Sequence, residues 1–241
     1  GTNLLSAILT KKTGQLLTEF LRPRLLEPLG MSPVTCAALP DGIQMGGAGF
    51  SLTIEDMARF TQFLANRGKW EGKQLLKEEW FSQATARQID TLPASCDPDW
   101  QQGYGYQIWL CEPEGTFRGD GAYGQYGVVM GPQDVVLVIQ SASQQLQSVL
   151  SAVWEKLLPQ MSKAPLPEDP IAHALLTRRL SHLELLPLPM MRNPVTEPSL
   201  EGIEYLADVR LPSMPDLIGG NGKFQPEGNT LLSVSFAFRK K

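Results

Sequence analysis

Apolar residues recur at helical spacing in separated stretches, and as strand-like runs in the middle of the chain. Leu4, Leu5, Ile8 and Leu9 form a first stripe, with Lys11 and Lys12 near its end and Gly14 placed as the stop. Leu16, Leu17, Phe20 and Leu21 form a second, which Pro23 restarts or kinks and which ends at Pro28-Leu29-Gly30. Residues 31–52 read as loop, with Gly46-Gly47-Ala48-Gly49 at the centre. Thr53 then stands three residues before Asp56, a capping-box start. Ile54, Met57, Ala58, Thr61 and Leu64 continue as an amphipathic helix that stops at Asn66-Arg67-Gly68. Lys77 to Ala86 reads as another short helix.

The middle of the chain changes period. Tyr104 to Leu110 predicts an aromatic strand, with Tyr104 and Tyr106 on one face, either lining a groove or packing in a sheet. The stretch from Gly119 to Pro132 predicts a Gly-rich strand closed by a Gly-Pro turn, and Val135 to Ile139 its antiparallel partner. Its glycines mark either a bent strand under a helix or a backbone that something approaches closely. Leu146, Val149, Leu150, Val153, Trp154, Leu157 and Leu158 then follow the i, i+3, i+4, i+7 pattern of a helix laid across one sheet face, ended by Pro159. The expected fold class is α+β, an antiparallel meander flanked by helices.

From Lys163 onward prolines dominate. The expected division is a main domain over 1–162 and, over 163–241, a Pro-rich linker with a small appended α/β segment. That segment has a helix from His173 to Leu186 and strands at Glu204–Arg210 and Leu231–Phe238, around a turn at Gly219-Gly220-Asn221-Gly222.

The 241 residues carry a net charge of −4, 42% hydrophobic and 19% charged residues. The one basic cluster is Arg239-Lys240-Lys241, so nothing marks a nucleic-acid partner. No apolar run approaches the roughly 18 residues of a membrane span. Cys36, Cys96 and Cys111 have no metal-type spacing, and their odd number argues against a disulfide framework, so cysteine leaves the compartment open. The sequence implies no cofactor and no metal. His173 and His182, nine apart, would point to opposite sides of one helix, and no Gly-x-Ser-x-Gly elbow accompanies them. Gly46-Gly47-Ala48-Gly49 ahead of the Thr53 cap reads as a tight loop approaching a cleft, with anion binding at the helix start as the other reading.

These patches form an ordered series: Leu4-Leu5-Ser6-Ala7-Ile8, Thr13-Gly14, Pro28-Leu29-Gly30-Met31, Gly46 to Phe50, Thr53 with Asp56 to Phe60, Gly103 to Tyr106, and Asp120 to Tyr126. Over residues 1 to about 160 the series resembles the C-terminal half of the serine β-lactamase-related, penicillin-binding-protein-like family. Class C β-lactamases, D-alanyl carboxypeptidases, D-amino-peptidases and esterases belong to that family, and its bacterial members are often extracytoplasmic. The resemblance implies the β-lactamase/transpeptidase-like fold without its N-terminal half. The family's chemistry uses a Ser-x-x-Lys helix turn for nucleophile and base, a Tyr-x-Asn relay, and a Lys-Thr-Gly-like strand followed by an oxyanion N–H.

In this sequence no Ser has a Lys three residues on, and no Tyr has an Asn two residues on. The resemblance places both boxes upstream of Gly1. Lys12-Thr13-Gly14 spells the third box but reads as a helix end. The better match is Gly119-Asp120-Gly121, with Ala122 implied as the oxyanion N–H and Gly119, Asp120, Gly121 and Tyr123 as substrate-binding. Asp stands where Thr would be and no cation opens the box, which shifts the expectation from carboxylate-bearing β-lactams toward ester or peptide substrates.

The implied function is one cleft wall and an oxyanion N–H of a serine hydrolase. The implied partners are an N-terminal half of the same domain, as a possible separate chain, and a small-molecule acyl substrate for the complete site. The alternative is a non-catalytic binding or scaffold module that keeps the fold. The chain alone is expected to be inactive.

Overall fold

The computed structural model describes residues 1–31, 33–92, 97–162, 164 and 167–183. The expected strands at 204–210 and 231–238, the turn at 219–222 and Cys96 lie outside the described residues.

Helix α1 (Thr2–Thr13) ends where Gly14 takes a left-handed φ of 71°, its N–H closing on Thr10 O, and Lys11 and Lys12 sit in the last turn. That is ordinary helix-stop chemistry, so Lys12-Thr13-Gly14 is a terminus. Helix α2 (Leu17–Leu21) runs into a wide turn over Arg22–Leu26, where Pro23 is accommodated without breaking the path. Both helices are tied to the following loop. The Ser6 hydroxyl donates to Gln44 O at 2.6 Å, and the Thr18 N–H to Gln44 Oε1 at 2.8 Å.

Residues 31–52, expected as loop, contain a two-residue ladder, β1 (Thr35–Cys36) with β2 (Phe50–Ser51). Helix α3 (Ile54–Ala65) starts at a Thr53 cap whose Oγ1 accepts the Asp56 N–H at 3.1 Å. The Thr53 hydroxyl donates to Asp56 Oδ2, and Arg59 pairs with Asp56 Oδ1. A hairpin absent from the sequence reading, β3 (Lys69–Trp70) with β4 (Lys73–Gln74), precedes α4 (Glu78–Ala84).

Four strands follow as an antiparallel meander: β5 (Trp109–Leu110), β6 (Thr116–Gly121), β7 (Gln125–Met130) and β8 (Val135–Ile139). Two expectations are corrected. The strand predicted over Tyr104–Leu110 shrinks to its last two residues. Gln107 adopts a φ of 62° and the Gly105 N–H closes on Ile108 O, so the chain turns. The argument from alternation at Tyr104 and Tyr106 therefore fails. The single Gly-rich strand predicted from Gly119 is two strands, because Tyr123 and Gly124 take φ of 63° and 82° and fold the chain back between Gly121 and Gln125.

Alternation along β7 divides the core. Val129 packs with Phe63 and Leu64 of α3, together with Phe81 and Leu29. Tyr126, Val128 and Met130 pack with Leu150 on the other face. Leu150 belongs to α5 (Leu146–Ala152), which continues through a wide turn at Val153–Leu157 to Gln160. The expected C-terminal helix thus lies across one sheet face, and α3 covers the other. Each of these fully buried side chains contributes about 1.5–3 kcal/mol of apolar burial.

The chain divides into units Gly1–Glu168 and Asp169–Lys241. Within the second, α6 spans Pro170–Leu180, opened by the Asp169 carboxylate accepting the Ala172 N–H. The helix expected to run to Leu186 thus stops at Leu180, and His182 lies in the turn beyond, so the two histidines do not share one helix.

Candidate active-site wall

β5 pairs with β6 only at Leu110↔Phe117 and Trp109↔Arg118. Beyond Arg118 the outer edge of β6 therefore runs without a ladder partner among the described residues, and Gly119, Asp120 and Gly121 sit on that stretch. On the inner side they pair with Gly127, Tyr126 and Gln125. A Cβ built on Gly119 meets nothing within 4 Å. By register Gly119 shares the face of Phe117, the face α3 packs against.

Ala122, Tyr123 and Gly124 form the turn. It closes from the Gly124 N–H to Gly121 O at 3.2 Å, which leaves the Ala122 N–H outside the closing bond. The turn is clamped from the segment after β8. The Ser141 hydroxyl faces Tyr123 O at 2.6 Å and Gly124 O at 3.0 Å, the Ser143 N–H donates to Tyr123 O at 3.0 Å, and Gln125 Nε2 donates to Ser141 O. Tyr123 is 45% exposed beside the open edge.

The charges of this strand lie behind it. Arg118 and Asp120, opposite Val128 and Tyr126, share the α5 face. Arg118 is fully buried, and both its Nε and Nη2 lie 3.0 Å from Asp120 Oδ2. Its Nη1 donates to Asp99 O and Leu110 O. The guanidinium lies 4.4 Å from the Trp100 ring centre and 5.7 Å from that of Trp109, so cation–π attraction offsets part of the lost hydration. Burial pushes the Asp120 carboxyl above the usual Asp value, and the nearby Asp99 adds to this, against the opposing pull of Arg118.

Asp99, buried on the short turn Pro98–Trp100, anchors the cluster to α5. Its Oδ2 accepts Gln147 Nε2 at 2.7 Å and Trp154 Nε1 at 2.9 Å, and its Oδ1 accepts the Glu112 N–H. Cys111 lies 3.5 Å from Arg118 Nη1, and burial pushes its thiol up to about 11. Burial also raises the Tyr126 and Tyr104 hydroxyls.

The structure thus brings Gly119, Gly121, Ala122 and Tyr123 to one open edge and turns the Asp120 side chain away from it. Arg118, Asp99, Trp100 and Gln147 escaped the sequence reading, and Trp154, read there only as part of the helix stripe, also bonds Asp99. The available signal was Arg118 two positions from Asp120 on one strand, a spacing that puts opposite charges side by side. Gly46 and Gly47 make a close approach to α1 rather than to this edge. Added Cβ atoms would collide with the Thr2 backbone and hydroxyl, and the Gly46 N–H donates to Asn3 Oδ1 at 3.0 Å.

The model of the β-lactamase family matches residues 1–158. The chain belongs to the β-lactamase family. A Bacillus anthracis protein assigned as a 6-aminohexanoate-dimer hydrolase is 27% identical, with a TM-score of 0.57 over 68% of this chain and 43% of that one. A Bacteroides dorei protein assigned as a β-lactamase is 18% identical, with a TM-score of 0.40 over 56% and 50%. A β-lactamase from Mycobacterium bovis is 19% identical, with a TM-score of 0.47 over 63% and 60%. This β-lactamase-family chain therefore spans 43–60% of the length of those solved structures. No curated protein sequence matches it. Among the described residues no helix is long and apolar enough to cross a membrane.

Proposed function

We propose that residues 1–162 form one wall of a serine hydrolase site of the acyl-enzyme type, with the Ala122 N–H as an oxyanion donor. The observation that carries this reading is the bare edge of β6. Among the described residues the outer edge of the strand has no ladder partner from Gly119 onward, it is stripped of side chains at Gly119 and Gly121, and it ends at a clamped turn whose Ala122 N–H takes no part in the closing bond. A carbonyl laid along such an edge meets fixed backbone dipoles, the arrangement that stabilises a developing oxyanion. Nucleophile, base and relay would come from residues outside these 241, on an N-terminal half in the same or a separate polypeptide. Tyr123 and the backbone of Gly119, Asp120 and Gly121 would contact the acyl substrate, an ester, a peptide or a β-lactam.

Ala122→Pro in the full natural protein tests this. Loss of one oxyanion donor lowers kcat by about 10²–10³ with little change in KM. An unchanged kcat removes Ala122 from the site. A non-catalytic module is the second reading, favoured by the missing Ser-x-x-Lys and Tyr-x-Asn. It requires the natural protein to hydrolyse nothing and to bind a small acyl ligand at this edge.

A further inference from the structure

A second concave surface lies away from the bare edge of β6. It is an open groove of about 870 Å³ between the turn Pro98–Trp100 and the flank of α5, a size within the range of small-ligand sites. None of its lining residues lies between Thr116 and Met130, so neither β6 nor β7 contributes to it. Trp100 forms its aromatic side, and the half-buried indole is held by the guanidinium of Arg118, 4.4 Å from the ring centre. Gln147 ties the two sides together. Its Oε1 accepts the Asp99 N–H at 3.1 Å, and its Nε2 donates to Asp99 Oδ2 at 2.7 Å and to Ser151 Oγ at 3.3 Å. The spacing between the ring and α5 is therefore set before any ligand arrives.

The α5 side of the groove is built from uncharged hydrogen-bonding groups. From Gln140 to Trp154 the sequence holds four Gln, four Ser and no charged residue. Gln144, Gln145 and Ser148 of this run are exposed and line the groove. Each amide offers two donors and an acceptor, and each hydroxyl offers both roles. The charged residues of the lining are Asp97, Glu155 and Lys156, two carboxylates to one ammonium, so an anion meets net repulsion. Apolar lining beyond Trp100 is limited to Leu146 and Ala152, which is little cover for an alkyl chain. A fitting ligand is neutral, carries donors and acceptors together, and presents an apolar face to an indole. A sugar ring has this form, with C–H groups on its faces and hydroxyls around its rim. We propose that this groove binds a neutral oligosaccharide. One sugar ring stacks on Trp100, its hydroxyls bond to Gln144, Gln145 and Ser148, and Gln147 is a positioning residue.

Titration calorimetry on the full natural protein tests this, with cellohexaose and maltohexaose as neutral ligands and hexagalacturonate as an anionic one. The expected result is a Kd of about 1 mM or tighter for at least one neutral hexasaccharide, with hexagalacturonate about tenfold weaker or more. Ala152→Trp, at an exposed position of α5, fills the groove without entering the core and weakens binding by about tenfold or more. The double variant Gln144→Ala and Gln145→Ala, also at exposed positions, weakens it by about tenfold. Thermal melts alongside report that both variants are folded. Binding of neither neutral hexasaccharide overturns the proposal. Hexagalacturonate bound as tightly as the neutral chains overturns the selection for a neutral ligand. Binding unchanged in Ala152→Trp or in the double variant puts the sugar elsewhere and overturns the groove as its site. The outcome does not depend on the acyl-transfer reading, since binding heat requires no nucleophile.

Discussion

Gly119 and Gly127 face each other across β6 and β7, yet a Cβ at Gly127 would stand 2.5 Å from Thr61 Oγ1, while one at Gly119 would meet nothing within 4 Å. Gly127 is required by α3, which presses Thr61 onto the sheet with its hydroxyl bonded back to Met57 O. Gly119 has no packing reason. The glycines of this stretch thus divide between the two explanations the sequence left open, with close packing under a helix at Gly127 and an open strand edge at Gly119.

Stability measurements separate the two positions. Gly127→Ala forces Thr61 or the helix to shift and costs about 1–3 kcal/mol, the usual range for overpacking. Gly119→Ala stays within about 0.5 kcal/mol of the parent, as for a substitution that touches nothing. Urea midpoints on the two variants check this, and a large loss at Gly119 contradicts the open edge.

The Arg118–Asp120 pair predicts a non-additive cycle. Arg118→Met or Asp120→Leu alone leaves a buried charge uncompensated and costs about 3–5 kcal/mol. The double variant removes both charges and costs less than the sum of the singles, by a coupling of about 2 kcal/mol. Additive losses show that the pair carries no coupling.

Asp120 also predicts a sign for pH dependence. Its folded value is raised above the unfolded one, near 3.9. The folded state therefore holds the proton more tightly, and stability is fully present below the unfolded value and is lost as pH rises through the folded one. Asp120→Asn lacks this titration, so the stability gap between parent and variant narrows as pH climbs above about 4. A gap that widens over that range means that Arg118 holds the carboxyl below its usual value.

Cys111, buried beside Arg118 with its thiol pushed up to about 11, is predicted to be inert. At pH 8 about one part in a thousand is thiolate, and alkylation of the folded protein leaves it unmodified over times that modify an ordinary exposed cysteine. Peptide mapping after iodoacetamide treatment reads this directly. Fast modification of Cys111 places it outside the core.

Much of the scaffold was legible because local chemistry and burial agreed. The Gly14 stop, the Thr53–Asp56 cap and the Leu146–Leu158 stripe each carry a local signal that tertiary packing reinforces. The failures have equally local causes. Tyr123 takes a left-handed φ that a tyrosine gives no hint of, so the hairpin inside the Gly-rich stretch was hidden. Gln107 does the same within the aromatic stretch, and it removed a strand that composition favoured. The box at Gly119-Asp120-Gly121 was legible as an ordered motif. The direction of Asp120 was not, because it depends on Arg118, on the indole rings of Trp100 and Trp109, and on Asp99, which is distant in sequence and held by α5.

Peptide mapping after fluorophosphonate treatment tests most directly the claim that these residues form a wall without a nucleophile. The purified natural protein is treated with the probe, digested, and the adduct located. The adduct is predicted on a serine that has a lysine three residues on, and on none of the serines in these 241 residues. Stoichiometric labelling of any serine between Gly1 and Lys241 contradicts that account.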